Sequence, residues 1–279
     1  MAIGVAEISK LRKMTGAGMM DCKKALEEAN GDYEQAVSII RKKGKLISDK
    51  RADREASQGC VLAKVSADGT RGVLTVLCCE TDFVAKGQDF IKFVDNVCDE
   101  ALKNNASNLE TVNELKVNGI SVAEGVNEKV AIIGEKIELS FFDCLEAADV
   151  ASYIHTGNKL ACLVGFNKKL TDPQVGRNVA MQVASMSPIV VNREEFSDEM
   201  IAKELEIATD QARNDEKNEG KPDNMIEKIA QGKLEKYLKE KTLTSQEYIM
   251  DTKLTIAEYL KAQDKELKVT GFVRFALSV

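Results

Sequence analysis

The chain has 279 residues, 44% of them hydrophobic and 30% charged, with a formal net charge of −6. That length supports two or three units with cores of their own, and the acidic balance argues against a general nucleic-acid binder, which carries a basic surplus. Aromatic residues make up 5%, Trp is absent and only 3 Pro occur, so helix content should be high and long irregular loops few.

Residues 1–44 read as three short helices. Val5, Ile8 and Leu11 recur at helical spacing in the first, and "TGAG" at 15–18 breaks it. The second carries Cys22, Ala25, Leu26 and Ala29 on one side and ends at the turn "NGD", residues 30–32. The third carries Tyr33, Ala36, Val37 and Ile40 and is expected to end at Gly44, where Arg and Lys suit the helix dipole. Residues 45–57, "KLISDKRADREAS", read as a charged linker, and the basic run 41–51 as a solvated helix end.

From Gly59 the period changes to two, and "CVLAKVSADGTRGVLTVLCC" gives a hairpin around Asp68-Gly69. Residues 89–103 predict an amphipathic helix with a stripe of Phe90, Phe93, Val94, Val97, Cys98 and Ala101. Residues 105–130 read as loop and short helix, and residues 135–146 as a strand with Ile137, Leu139 and Phe141 on one face. Hairpin and helix then recur at "VASYIHTGNKLACLVGF" and "TDPQVGRNVAMQVASMSP". Ile201, Leu205, Ala208 and Ala212, then Ile226, Ile229, Ala230, Leu234, Tyr237 and Leu238, predict two antiparallel helices joined at "EGKPD". The chain closes with a strand at "TLTSQEYI", a helix near 255–262, and a strand with Val269, Val273, Phe275 and Leu277 on one face.

Little here suits an enzyme. The seven cysteines include no CxxC pair and no Cys/His cluster, so they read as small apolar side chains of a reduced, cytoplasmic protein without a metal site. Adjacent Cys78 and Cys79 should point to opposite faces of their strand. His155 is the only histidine, and neither phosphate-binding glycine motif is present, so no cofactor is expected. The first residues lack a signal-peptide core, and no apolar run is long enough for a membrane helix.

Two stretches are specific. "LRKMTGAGMMDCKKAL", residues 11–26, resembles the N-terminal signature of elongation factor Ts, and "ETDFVAK", residues 80–86, resembles the second signature of that family. Shorter matches at "IGEKI", "YIHTGN" and "VTGFVRF" follow in order over essentially the whole chain. The resemblance implies an α+β fold with five parts. These are a three-helix module like a ubiquitin-associated domain (1–44), a linker (45–57), core subdomains at 58–147 and at 148–196 with 241–279, and a protruding helical hairpin or coiled coil at 197–240.

The resemblance also implies a guanine-nucleotide exchange factor that binds elongation factor Tu, GDP-bound or nucleotide-free, and promotes GDP release without covalent chemistry. Thr81, Asp82, Phe83 and Val84 match the intruding tip. Met19, Met20, Lys24, Ile133, Gly134 and His155 match partner-binding positions. No contact with nucleic acid or membrane is implied, and the hairpin suits partner contact or self-association. Taken alone, Phe83 reads as a core side chain at a strand end, Asp82 as a helix N-cap, and Met19 and Met20 as one buried and one exposed. A helical adaptor without exchange activity is the alternative function, and a cysteine-dependent enzyme a third.

Overall fold

The computed structural model describes residues 3–277. Three helices open the chain: α1 (Val5–Thr15), α2 (Met19–Glu28) and α3 (Tyr33–Lys50). Ile8, Leu11, Cys22, Leu26, Ala36 and Ile40 form their shared core, and Ala131 from further along the chain joins it. Val5, expected on that face, is exposed; Ile3, just before the helix, packs against the core at this end. Nor does the third helix end at Gly44. It continues for six further residues through the basic run, because Gly44 is buried where α3 crosses a later helix backbone, and the run's cations find acidic partners. Arg41 pairs with Glu128, Lys43 with Asp21, and Arg51 with Glu80.

Strands β1 (Gln58–Val65) and β2 (Arg71–Cys79) form the predicted hairpin, followed by a single helical turn, α4 (Asp82–Ala85), and by α5 (Gln88–Lys103). The buried face of α5 is the predicted stripe, Phe90 through Ala101. Residues 105–130 are more ordered than expected. They contain α6 (Leu109–Glu114), a two-residue ribbon of β3 (Lys116–Val117) and β4 (Ile120–Ser121), and the start of α7 (Val122–Ile133). A Ser121/Glu124 capping box starts α7. Its small residues and high mean hydropathy blur the helical period in the sequence.

Strand β5 (Ile137–Glu146) completes an antiparallel sheet in the order β1-β2-β5. The second half repeats the scheme with β6 (Asp149–Ile154), β7 (Leu160–Phe166) and α8 (Pro173–Met186). Helices α9 (Asp198–Arg213) and α10 (Asp223–Lys241) follow, packing through Ala208, Ala212, Ile226 and Ala230 at one level and Leu205, Leu234 and Leu238 at another. The stretch expected as a strand at 242–249 is mostly a tight 3-10 turn, since Thr242 Oγ1 and the Gln246 amide bond back to the end of α10. Then come β8 (Glu247–Tyr248), β9 (Asp251–Thr255), α11 (Ile256–Gln263) and β10 (Val269–Ala276). The second antiparallel sheet runs β10-β7-β6.

The two sheets face each other. Val61, Leu74, Val76 and Cys78 from one meet Val150, Ala161, Leu163 and Leu277 from the other. Outside the first sheet α5 and α7 seal a second core, and outside the other sheet α8 and α11 seal a third. The chain is thus α+β with antiparallel sheets, layered helix, sheet, sheet, helix. Cys79 faces the helix layer and Cys78 the opposite sheet, as alternation requires. In two strands the alternation slips. Ser140 is an extra residue between the pairs Val76–Phe141 and Leu77–Leu139, so Phe142 rather than Phe141 joins Ile137 and Leu139, while Phe141 turns to Phe275. In β10 the slip is at Thr270, which separates Val269 from Val273, Phe275 and Leu277 and sends it with Phe272 to the helix side.

Candidate functional site

The regular ladder between β2 and β5 ends at the pair Cys79–Ile137. One step beyond, two carboxylates take over from backbone carbonyls. Glu80 accepts the Lys136 amide hydrogen at 2.6 Å, and Glu135 accepts the Thr81 amide hydrogen at 3.0 Å. Glu135 also accepts the Thr81 hydroxyl proton at 2.7 Å. Thr81 in turn caps α4, its Oγ1 accepting from the Val84 amide at 3.5 Å. The hydroxyl thus joins the turn to the strand end.

The capped turn sorts its side chains. Ala85 is buried and Val84 packs against the helix-side core. Phe83 points away and is 85% exposed, the most exposed large apolar side chain among the described residues. The core reading of Phe83 therefore fails, and the N-cap is Thr81 rather than Asp82. Asp82 is the first helical residue, and its carboxylate accepts from the Lys86 ammonium at 2.5 Å. That bond, with the nearby Lys86 and Lys159 charges, holds the Asp82 carboxyl below its ordinary range. It stays ionised at neutral pH.

Glu80 is also held low, at about 2, first by the Lys136 amide and then by the guanidinium groups of Arg51 and Arg54. It lies at 2.6 Å from Arg51 and 3.1 Å from Arg54. Sequence reasoning does not find Glu80, Glu135, Lys136 or the two arginines. A signal exists in "CET" and "GEKI", where a carboxylate stands just beyond the apolar end of each strand.

The other expected residues lie at varying removes. Ile133 closes α7 with its side chain 37% exposed, and Gly134, at φ 79°, makes the left-handed turn that brings Glu135 to Thr81. A residue with a side chain is strained at that φ. The His155–Lys159 turn reaches the same end of the molecule: the Asn158 carbonyl accepts from the Val61 amide at 2.7 Å, and Lys159 acts on Asp82. His155 is exposed, with Nδ1 3.0 Å from the Tyr153 hydroxyl. Met19 and Met20 are both exposed and open α2 three residues after Gly16, which abuts Ile132. Lys24 lines a groove between α2 and α3 that sets the apolar Ala25, Ile39 and Leu46 among the charged Asp21, Glu28, Lys42 and Lys43.

Four of the thiols are poorly suited to nucleophilic chemistry. Burial pushes Cys60, Cys79, Cys98 and Cys162 up to about 12, which leaves them protonated at neutral pH. The geometry instead presents an apolar ring and a carboxylate side by side on a fixed turn.

The family model described as Elongation factor TS matches residues 80–278. Elongation factor Ts of Christiangramia forsetii is 49% identical over 276 residues, covering 99% of this chain and 98% of that protein. The protein of the same name from Flavobacterium psychrophilum is 47% identical over 276 residues, covering 99% and 98%. That from Porphyromonas gingivalis is 45% identical over 279 residues, covering 100% and 99%.

Proposed function

The chain belongs to the elongation factor Ts family, a family of translation elongation factors, and on that premise we propose that it binds elongation factor Tu and promotes GDP release. It acts as a cytoplasmic protein factor, without covalent chemistry and without direct contact to nucleic acid. The observation that carries the reading is Phe83, 85% exposed on a turn whose base is fixed by Thr81 and Glu135. A single exposed apolar ring is ordinary by itself; what supports a partner contact is that this one sits on a fixed turn within the family's signature stretch.

The energetics set what the tip must do. A thousandfold weakening of GDP affinity is about 4.1 kcal/mol. By linkage GDP weakens the factor's binding by the same ratio, so the factor has to prefer a distorted GTPase by that amount. Burying Phe83 in an apolar gap of the partner supplies about 1.5–3 kcal/mol. The remainder falls to Asp82, which disturbs the polar groups around the partner's Mg²⁺, and to wider contacts. Thr81 and Val84 seat the tip. Met19, Met20, Lys24, Ile133, Gly134 and His155 meet the partner around it, with GDP bound or absent.

The domain division follows the same reading: a module like a ubiquitin-associated domain at 1–44, whose third helix runs on through the first six residues of the linker at 45–57, core subdomains at 58–147 and at 148–196 with 241–279, and a protruding coiled-coil hairpin at 197–240 open to self-association. The test is release of fluorescent GDP from elongation factor Tu. The wild-type chain should accelerate it, and the Asp82→Ala/Phe83→Ala variant should bind without accelerating it. Unchanged release at saturating, demonstrated wild-type binding would sink the proposal and leave the adaptor function.

A further inference from the structure

The segment joining the N-terminal helices to the core is tied to the base of the tip. Glu80 accepts from Arg51 at 2.6 Å and Arg54 at 3.1 Å, as well as from the Lys136 amide. The Lys136 ammonium donates back to the carbonyls of Ala52 at 2.9 Å and Arg54 at 3.0 Å. Glu80 and Lys136 therefore each bind both the other and the 51–54 turn, which closes a loop of charge-assisted bonds. Glu80 directly precedes Thr81, and Lys136 directly follows the Glu135 that grips Thr81.

We propose that Arg51 and Arg54 are positioning residues for the Asp82–Phe83 turn, acting through Glu80. The inference rests on the exchange reading above and extends it to residues outside the tip. Two observations separate this role from simple attachment of the N-terminal helices. Ile47 and Ala56, on either side, pack into the cores without help from the loop of charges. The loop also lies beyond the last ladder pair, where no strand bonding remains to hold Glu80 and Lys136 together. The Glu80 side chain is 15% exposed and that of Arg51 27%, so this pair is less screened than an ordinary surface pair, while Arg54, 59% exposed, is the weaker partner. A wedge transmits strain to its partner only if its own base does not yield, and this loop stiffens that base.

The test uses the full chain with Arg51→Ala/Arg54→Ala, Arg51→Lys/Arg54→Lys, and the alanine pair combined with Glu80→Gln. Amide hydrogen exchange at Thr81 and Lys136 should rise at least about tenfold in the alanine pair, which removes two bonds to the Glu80 carboxylate, one such bond alone being worth about that factor. The maximal GDP-release rate should fall by a similar factor while the half-saturating concentration stays fixed. The lysine pair should retain most of the rate, and Glu80→Gln should lower the rate of the alanine pair by less than it lowers that of the wild-type chain, the Lys136 amide being the one partner of Glu80 left. Unchanged amide exchange overturns the proposal whatever the rate does, as does faster exchange with an unaltered maximal rate. A rise in the half-saturating concentration alone would mean that the arginines touch the partner, which also overturns it. If the wild type fails to accelerate release, the exchange reading falls, and the amide measurement still decides whether the loop holds the turn.

Discussion

Of the glycines inside helices, Gly44 and Gly232 make a contrasting pair, at which the same substitution should move stability in opposite directions. Gly44 is buried in α3 against α7. A Cβ there would overlap the Asn127 carbonyl oxygen and lie 2.9 Å from Ala131 Cβ. The obstacle is helix backbone, so relief requires α3 and α7 to separate along their whole contact. Overpacking of this kind costs about 1–3 kcal/mol, and a contact to backbone belongs at the upper end. Replacing an interior helical glycine with alanine returns about 0.5–1 kcal/mol. Gly44→Ala should therefore destabilise by about 1–2 kcal/mol once the overpacking cost and helix gain are combined. Gly232, in the exposed middle of α10, has nothing within 4 Å of its would-be Cβ. Gly232→Ala should stabilise by about 0.5–1 kcal/mol. Urea unfolding of the two variants reads both values from the shift in midpoint at constant slope. If Gly44→Ala is as stable as Gly232→Ala, the close crossing of α3 and α7 is wrong.

Two further outcomes follow from the site and the thiols. Glu80 has its folded pKa depressed to about 2 from an ordinary 4.5, so its stabilisation is full above pH 4.5 and is lost as pH falls through about 2. Glu80→Gln should flatten the stability profile over that window, and an unaltered acid transition would refute the assignment. Of the seven cysteines only Cys144 is not buried, so a bulky thiol reagent should label one site in the native protein and seven after denaturation. Rapid native labelling at Cys60 or Cys98 would contradict the packing of the helix-side core.

Periodicity was legible wherever one element has one apolar face. The stripe of α5 and the hairpins at Gly69 and Gly157 needed nothing beyond local pattern. The failures have specific causes. An extra residue at Ser140 or Thr270 moves Phe141 or Val269 to the other face, and no local pattern announces a bulge. Gly44 looks like a helix stop because its reason for being glycine, the backbone of α7, lies far along the chain. At the site, Asp82 and Phe83 come from the family signature, whereas the exposure of Phe83 is visible only in the fold. Glu80 and Glu135 stayed hidden because each acts across a strand pair, and charged residues beside a turn read as solvated surface.

The layer between the two sheets has a consequence for biosynthesis. Val61 and Leu74, made early, are covered there by Leu163 and Leu277, and the Leu277 amide is bonded to the Lys159 carbonyl at 2.9 Å. Strands β6 and β7 follow β5 directly and bring Val150, Ala161 and Leu163 to that face, whereas Val273, Phe275 and Leu277, from β10 and the residue after it, are translated about a hundred residues later. Until β10 threads beside β7, the nascent polypeptide carries a partly uncovered apolar face and unpaired strand edges, the combination that invites misassembly. Closure by such distant segments is slow, because the loop-closing entropy is spent before the contacts reward it. The layer between the sheets is therefore complete only once β10 has been made and paired with β7.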